Sequence, residues 1–77
     1  MMTLKDLNVG KSAKVIEVGG EKAIRRRLLD MGITPGTVIN KRKTAPMGDP
    51  IELSLRGYLL TIRLADAEEI RVVGIEE

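Results

Sequence analysis

The chain has 77 residues, enough for one small domain (residues 1–77) and too few for two. It contains neither cysteine nor histidine, which excludes disulfides, ordinary zinc sites and nucleophiles activated by a histidine base. Thirteen basic and 11 acidic residues give a net charge of +2, modest for a nucleic-acid-binding protein. Since aromatic residues make up 1%, the core must be built from the 23 Ile, Leu and Val residues.

The chain begins with a short helical turn and a first strand. Thr3 and Asp6 stand where an N-cap residue and an acidic N3 residue would begin a turn over residues 3–7. Residues 12–18 are rich in β-formers and lie between glycines, which predicts a strand. The adjacent Val15 and Ile16 break its alternation, so its register stays open.

A helix is predicted over residues 21–31. Ile24, Leu28 and Met31 recur at the spacing of one helix face, which leaves Arg25 and Arg26 facing solvent. Gly32 can adopt the left-handed conformation that ends a helix, with Ile33 covering the end, and residues 34–36 form a tight turn.

Three further strands follow. Residues 37–44 are apolar at the start and basic at 41–43, which predicts a strand buried at one end only. After a loop over residues 45–50, residues 51–55 alternate as in a strand with one wet face. Arg56-Gly57 is a two-residue hairpin turn. The returning strand is expected to face inward at Tyr58, Leu60, Ile62 and Leu64 and outward at Leu59.

A helical turn at residues 65–69 and a last strand at residues 70–73 complete the chain. The fold class is therefore mainly β with short helices. Five short strands with one helix between the first two favour a small closed or half-closed barrel, because closure removes exposed sheet edges.

Four segments of the chain resemble the FeoA family. RLLDMGITPG at 27–36 is similar to its RLxxxGI/LxPG signature, APMGDPI at 45–51 to its APxGDPI loop, and residues 57–63 and 67–70 to its last segments. The resemblance implies an SH3-like β-barrel of about five strands that acts in ferrous iron uptake. It also implies a partner, the FeoB-type membrane GTPase transporter, bound through its cytosolic part in a regulatory role.

Several residues in these segments have a structural explanation. Gly32, Pro35 and Gly36 suit a helix end and a turn, and Asp49 is expected to cap its own turn. For Arg27 a structural role and a recognition role are equally supported. Leu59 is the sharpest contact candidate, since nothing structural requires an outward leucine. The predicted partner-binding residues are Arg25, Arg26, Arg27, Met47, Asp49 and Leu59.

No catalytic residue, metal ligand or cofactor is predicted. Iron(II) favours imidazole combined with carboxylates, and this chain offers carboxylates, backbone oxygens and methionine sulfurs. We expect at most weak surface binding of divalent cations by the acidic residues of the C-terminal stretch, Asp66, Glu68, Glu69, Glu76 and Glu77.

The chain is expected to be cytoplasmic and not to span a membrane, because it lacks a signal pattern, cysteines and a run of about 20 apolar residues. The principal alternative is a small nucleic-acid-binding barrel. It is weakly supported, because a single tyrosine provides little base stacking and a net charge of +2 neutralises few phosphates. Another is a metal-responsive module like the SH3-like domain of iron-dependent repressors. The sequence leaves homo-oligomerisation through an open strand edge undecided.

Overall fold

The computed structural model describes residues 2–75, which form one antiparallel sheet of five strands in the order β4-β3-β2-β1-β5. In chain order the elements are a 3₁₀ turn (Leu4–Asp6), β1 (Ser12–Val18), α1 (Lys22–Asp30), β2 (Val38–Thr44), β3 (Ile51–Leu55), β4 (Tyr58–Ile62), α2 (Leu64–Ala67) and β5 (Ile70–Ile75). The mainly β fold class and the helix between the first two strands are confirmed.

The sheet encloses one aliphatic core. All five strands, α1, α2 and the 3₁₀ turn each contribute at least one buried apolar side chain to a single cluster. Because every strand faces the same cluster, the sheet curls around it, with β4 and β5 as its two ends. The β5 edge is partly covered by the start of the chain, since the Val72 N–H donates to the Met2 carbonyl at 3.0 Å.

The broken alternation of β1 is a β-bulge. Pairing with β5 shifts between Val15 and Glu17, so Ile16 has no partner in the ladder and is 52% exposed. One extra residue therefore explains how two adjacent aliphatic residues fit one strand.

Helix α1 ends as its sequence predicts. Leu28 is buried, and Ile24 and Met31 pack partly buried against the core. The Ile33 N–H donates to the Leu28 carbonyl at 3.1 Å and the Gly32 N–H to the Leu29 carbonyl at 3.0 Å. Those two bonds, with φ of +96° at Gly32, form a Schellman motif.

The expectation that β2 is buried at its apolar end alone is wrong. Val38 is 51% exposed, whereas Lys41 is buried with 5% exposure. The strand turns Ile39 and Lys41 inward together, as a period of two residues requires. The Lys41 amine can be buried there because it donates to the Leu7 carbonyl at 2.8 Å and the Lys5 carbonyl at 3.3 Å.

The inward position expected for Tyr58 is also wrong. Tyr58 is 41% exposed, and its hydroxyl donates to the Met31 carbonyl at the end of α1. A tyrosine suits this half-exposed position because its ring covers apolar surface while its hydroxyl reaches a hydrogen-bond acceptor. Further along β4, Leu60 is partly buried and Ile62 is buried. The two-residue turn is confirmed by positive φ at Arg56 (49°) and Gly57 (83°), typical of a type I′ hairpin.

Candidate partner-binding surface

The outer side of β4 carries an exposed aliphatic residue. Leu59 lies opposite Ser54 of β3 and is 58% exposed, and Thr61 lies opposite Glu52 and is exposed. Alternation along the strand places both side chains on the side away from the core. We call the outward side chains of Leu59 and Thr61 the β4 face.

A groove of about 350 Å³ adjoins the β4 face at Thr61. One wall is formed by Ala45, Pro46 and Pro50 of the loop between β2 and β3, and Ile51 and Thr61 also line it. Lys43 and Glu52 stand at the groove with opposite charges. Met47, at the tip of the same loop, is 93% exposed. Thr61 lines the groove, Leu59 lies two residues from it along β4, and Met47 stands at the tip of the loop that forms one wall.

Asp49 does not cap its own turn as expected. Its Oδ1 accepts a 2.9 Å hydrogen bond from the backbone N–H of Leu64, the first residue of α2. The first N–H groups of a helix lack partners within the helix, so this carboxylate supplies a cap from a distant segment. Asp49 thereby fixes the loop wall of the groove against the end of β4.

The three arginines of α1 differ in their surroundings. Arg25 was expected to face solvent freely, but its Nε donates to the Val18 carbonyl at 3.1 Å. Arg27 donates to Asp66 Oδ2 at 2.9 Å, which gives it a structural partner. Arg26 is exposed and makes no side-chain hydrogen bond or ion pair with residues 2–75.

The acidic C-terminal stretch is partly neutralised by ion pairs. Besides the pair of Asp66 with Arg27, Glu68 accepts a 2.7 Å hydrogen bond from Lys5, and this bond raises the pKa of Lys5. Glu76 and Glu77 lie outside the described residues. Within residues 2–75, no three acidic side chains stand close enough together to hold a metal ion.

Burial of Lys41 changes the charge map expected from sequence. The basic cluster of β2 is reduced at the surface to Arg42 and Lys43, and Arg42 Nε lies 3.9 Å from Glu52 Oε2. Sequence reasoning missed this burial and the groove beside Thr61. The burial of Lys41 could have been predicted from its alternation with Ile39 along β2. The groove could not, because it depends on how the loop folds back.

None of the helices in the described part of the chain is both long and apolar enough to cross a membrane.

Comparison with known proteins gives a family match over nearly the whole chain. A family model described as the FeoA domain matches residues 2–73. The Fe(2+) transport protein A/Fe(2+) transporter FeoB fusion protein of Porphyromonas gingivalis is 34% identical over 71 residues. That match covers 92% of this chain and 8% of the relative, so the chain spans a small part of that relative's length.

Solved structures share the architecture. The FeoA-like protein of Clostridium acetobutylicum has a TM-score of 0.91 at 42% identity, covering 99% of this chain and 88% of that one. Stenotrophomonas maltophilia FeoA, a procaryotic SH3 domain protein crystallised with zinc, has a TM-score of 0.83 at 27% identity, covering 95% and 91%. A manganese-dependent transcriptional repressor has a TM-score of 0.88 at 16% identity over 96% of this chain and 36% of its own. The predicted SH3-like fold is confirmed, and the repressor likeness concerns fold alone.

Proposed function

The chain belongs to the FeoA domain family, which is linked to ferrous iron transport, and we propose that it is a cytosolic accessory protein of that transport. It acts by binding the cytosolic part of a FeoB-type GTPase transporter and regulating it, without a catalytic step of its own. The sequence supports a binding role, because without histidine and cysteine it lacks the usual catalytic pairs.

The observation that carries this proposal is the fusion in Porphyromonas gingivalis. There, a segment similar to 92% of this chain is part of the same polypeptide as a FeoB transporter. Joining two modules in one chain raises their effective concentration to about the millimolar range when the linker is short. Two modules held together in this way can work in contact, and such a contact requires a docking surface on this domain.

The β4 face is the docking surface that we propose for the transporter. Leu59 offers apolar area that the fold leaves uncovered, and Met47 extends it beyond the groove. Arg26 on α1 is the arginine best suited to meet an acidic partner, since Arg25 and Arg27 already have acceptors in the fold. Arginine is among the residue types that dominate binding energy at interfaces, and the exposed leucine and methionine supply apolar area.

Calorimetric titration of the chain against the cytosolic part of the transporter tests the proposal. Wild type is expected to bind, and Leu59→Glu to weaken binding at least tenfold, about 1.4 kcal/mol. Val38→Glu is the matched control, because Val38 has nearly the same exposure on β2. If the wild-type chain does not bind, the proposed partner is contradicted. If Leu59→Glu and Val38→Glu bind with equal affinity, the proposed face is contradicted.

We propose further that divalent cations bind at most weakly at the acidic surface. The zinc in the Stenotrophomonas maltophilia structure supports an affinity in the family, while two of the acidic residues here are engaged in ion pairs. Thermal unfolding with and without equimolar Zn²⁺ is expected to give the same midpoint, since a ligand stabilises a fold only well above its Kd. A raised midpoint at equimolar metal would reveal a tight site.

The protein is also proposed not to bind nucleic acid. Burial of Lys41 takes one cation of the β2 cluster out of reach of phosphates. A filter-binding assay with RNA and DNA should retain neither at low salt, and retention that falls steeply with salt would favour the nucleic-acid alternative.

A further inference from the structure

One edge of the sheet is open. Strand β4 pairs with β3 alone, and its opposite edge has no backbone partner among residues 2–75. The pair Leu55 and Tyr58 closes the hairpin, so every second residue from Tyr58 onward directs its backbone groups toward β3. The Leu64 N–H follows the same alternation, because it donates to Asp49 on the side of the strand that faces β3. The N–H and C=O groups of Leu59 and Thr61 therefore point outward from the sheet edge.

This edge lacks the devices that usually prevent sheets from joining. Strand β4 reads YLLTI, with no charge, no proline and no bulge in its pairing. The other end of the sheet is protected, because residues 2 and 3 lie along β5 through the Val72–Met2 hydrogen bond and a bridge between Thr3 and Arg71.

An exposed leucine and a groove both lie beside the open edge. Leu59 is 58% exposed, and Thr61, two residues further on, lines the groove beside the loop. If a second β4 pairs antiparallel with Leu60 opposite Leu60, Leu59 of each copy lies opposite Thr61 of the other. Directly opposite residues on one face have Cβ atoms about 4.5–5.5 Å apart. Each Leu59 then lies at the entrance of the groove of the other copy.

We propose that this protein forms a homodimer in which two β4 edges pair antiparallel about a twofold axis at Leu60, with Leu59 of each copy seated in the groove beside Thr61 of the other. Four backbone hydrogen bonds, two donated by each copy through Leu59 and Thr61, join the sheets into one of ten strands. The interface is isologous, so one pairing satisfies both copies and closes the assembly.

Self-complementarity favours a second copy as the occupant. The β4 residues are uncharged, and the flanking Arg56 and Arg63 bring like charges together only at the two ends of the pairing. The same molecule also supplies both the exposed leucine and the groove that receives it. This inference does not rest on the proposed transporter partner, because it follows from the edge, the register and the groove. Both assemblies use Leu59 and Thr61, so dimerisation and docking of the transporter on the β4 face exclude each other.

Sedimentation equilibrium of the full chain over a wide concentration range tests the dimer. Wild type is expected to dimerise, with an affinity that rises with salt because Arg63 of each copy comes near Arg56 of the other. Leu59→Glu should raise the dimer Kd at least about a hundredfold, because the dimer then loses two buried leucines, one from each copy. Val38→Glu should leave the Kd unchanged, since Val38 is equally exposed but lies on β2.

A second variant tests the backbone hydrogen bonds of the dimer separately from the packing of Leu59. It also keeps the test valid if Leu59→Glu fails to fold. Thr61→Pro removes an N–H that points away from β3, a position where an edge strand tolerates proline. It should leave the circular dichroism spectrum of the monomer native and abolish the dimer.

Single thiols test the register, because the natural chain has no cysteine. Under oxidation, a mixture of Leu59→Cys and Thr61→Cys chains should form the mixed disulfide in preference to either homodimeric one. Such a disulfide, together with a dimer lost in Leu59→Glu and kept in Val38→Glu, would support the pairing. A monomer at every concentration, a dimer insensitive to Leu59→Glu, or thiols that do not pair as stated would overturn it. No transporter enters these assays, so their failure is distinct from failure of the proposed function.

Discussion

The amine of Lys41 donates a 2.8 Å hydrogen bond to the carbonyl oxygen of Leu7, which fastens the N-terminal 3₁₀ turn to the inside of β2. Its main chain acts on the same segment, because the Lys41 carbonyl accepts from the Gly10 N–H at 2.7 Å and its N–H donates to the Lys11 carbonyl at 3.0 Å. One residue thus anchors residues 7–11 by side chain and backbone together. Only a long side chain with several donors can reach those carbonyls from β2.

Replacing the Lys41 amine should destabilise the fold. In Lys41→Met the aliphatic stem is retained while the buried Leu7 carbonyl loses its donor, so the free energy of unfolding should fall by about 1–3 kcal/mol. Arg42→Met is the control on the neighbouring exposed position and should change stability by less than about 0.5 kcal/mol. Urea unfolding of the three proteins measures both values. Equal losses in the two variants would show that the Lys41 hydrogen bonds contribute nothing.

The same residue should make stability depend on pH in the alkaline range. Burial lowers the pKa of Lys41 from its ordinary 10.5, partly offset by attraction to the Asp6 carboxylate. Between the lowered folded pKa and 10.5 the unfolded chain binds more protons than the folded one, so this group makes stability rise with pH across that window. Unfolding free energies of wild type minus those of Lys41→Met, measured from about pH 8 to 11, should therefore increase. A difference that falls with pH would contradict this assignment.

The carboxylate of Asp49 should matter for stability through α2. Asp49→Ala removes the acceptor of the Leu64 N–H and should cost about 0.5–2 kcal/mol, as loss of a helix cap does. Asp49→Asn keeps an oxygen in the same place and should retain most of that stability. Guanidinium unfolding of both variants measures the difference. If Asp49→Ala is as stable as wild type, this hydrogen bond is not a cap in solution.

The local sequence predicted those parts of the fold that depend on near neighbours. The end of α1 followed from Gly32 and Ile33, and the hairpin turn from Arg56-Gly57, because each needs a backbone conformation that few residues adopt. Burial of Lys41 was not predicted, because the Leu7 and Lys5 carbonyls that accept its hydrogen bonds lie 34 and 36 residues away.

The candidate site was predicted less completely, for the same reason. Leu59 was placed outward correctly, since alternation along one strand is a local property. The acceptor of Arg25 at Val18 and the donor to Asp49 at Leu64 lie 7 and 15 residues away. Sequence spacing therefore supplied candidates for partner binding, and tertiary contacts show which of these candidates already have partners within the fold.

The ion pair of Arg27 with Asp66 should be a modest structural contact. Arg27 Nη2 lies 2.9 Å from Asp66 Oδ2 with 57% and 13% of the side chains exposed, so a double-mutant cycle of Arg27→Ala and Asp66→Asn should give a coupling of about 0.2–1 kcal/mol. The coupling should shrink in molar salt as the charges are screened. Thermal unfolding of wild type, the two single variants and the double variant measures this coupling energy. A coupling of zero at low salt would leave Arg27 free for recognition.

Two glycines with the same backbone conformation should respond differently to alanine. Gly32 and Gly36 have φ of +96° and +92°, so alanine costs about 1–2 kcal/mol of strain at either position. A Cβ at Gly36 meets open space, whereas one at Gly32 meets the Tyr58 hydroxyl. The half-exposed phenol can move aside only by giving up its hydrogen bond to the Met31 carbonyl, so Gly32→Ala should cost about 1 kcal/mol more than Gly36→Ala.

Tyr58→Leu supplies the control for that difference. Removing the phenol relieves the contact at Gly32 but leaves the positive φ, so in a Tyr58→Leu background the two alanine variants should lose nearly equal stability. Urea unfolding in both backgrounds measures the four losses. If Gly32→Ala stays more costly without the phenol, strain at the end of α1 rather than the contact with Tyr58 determines the requirement for glycine.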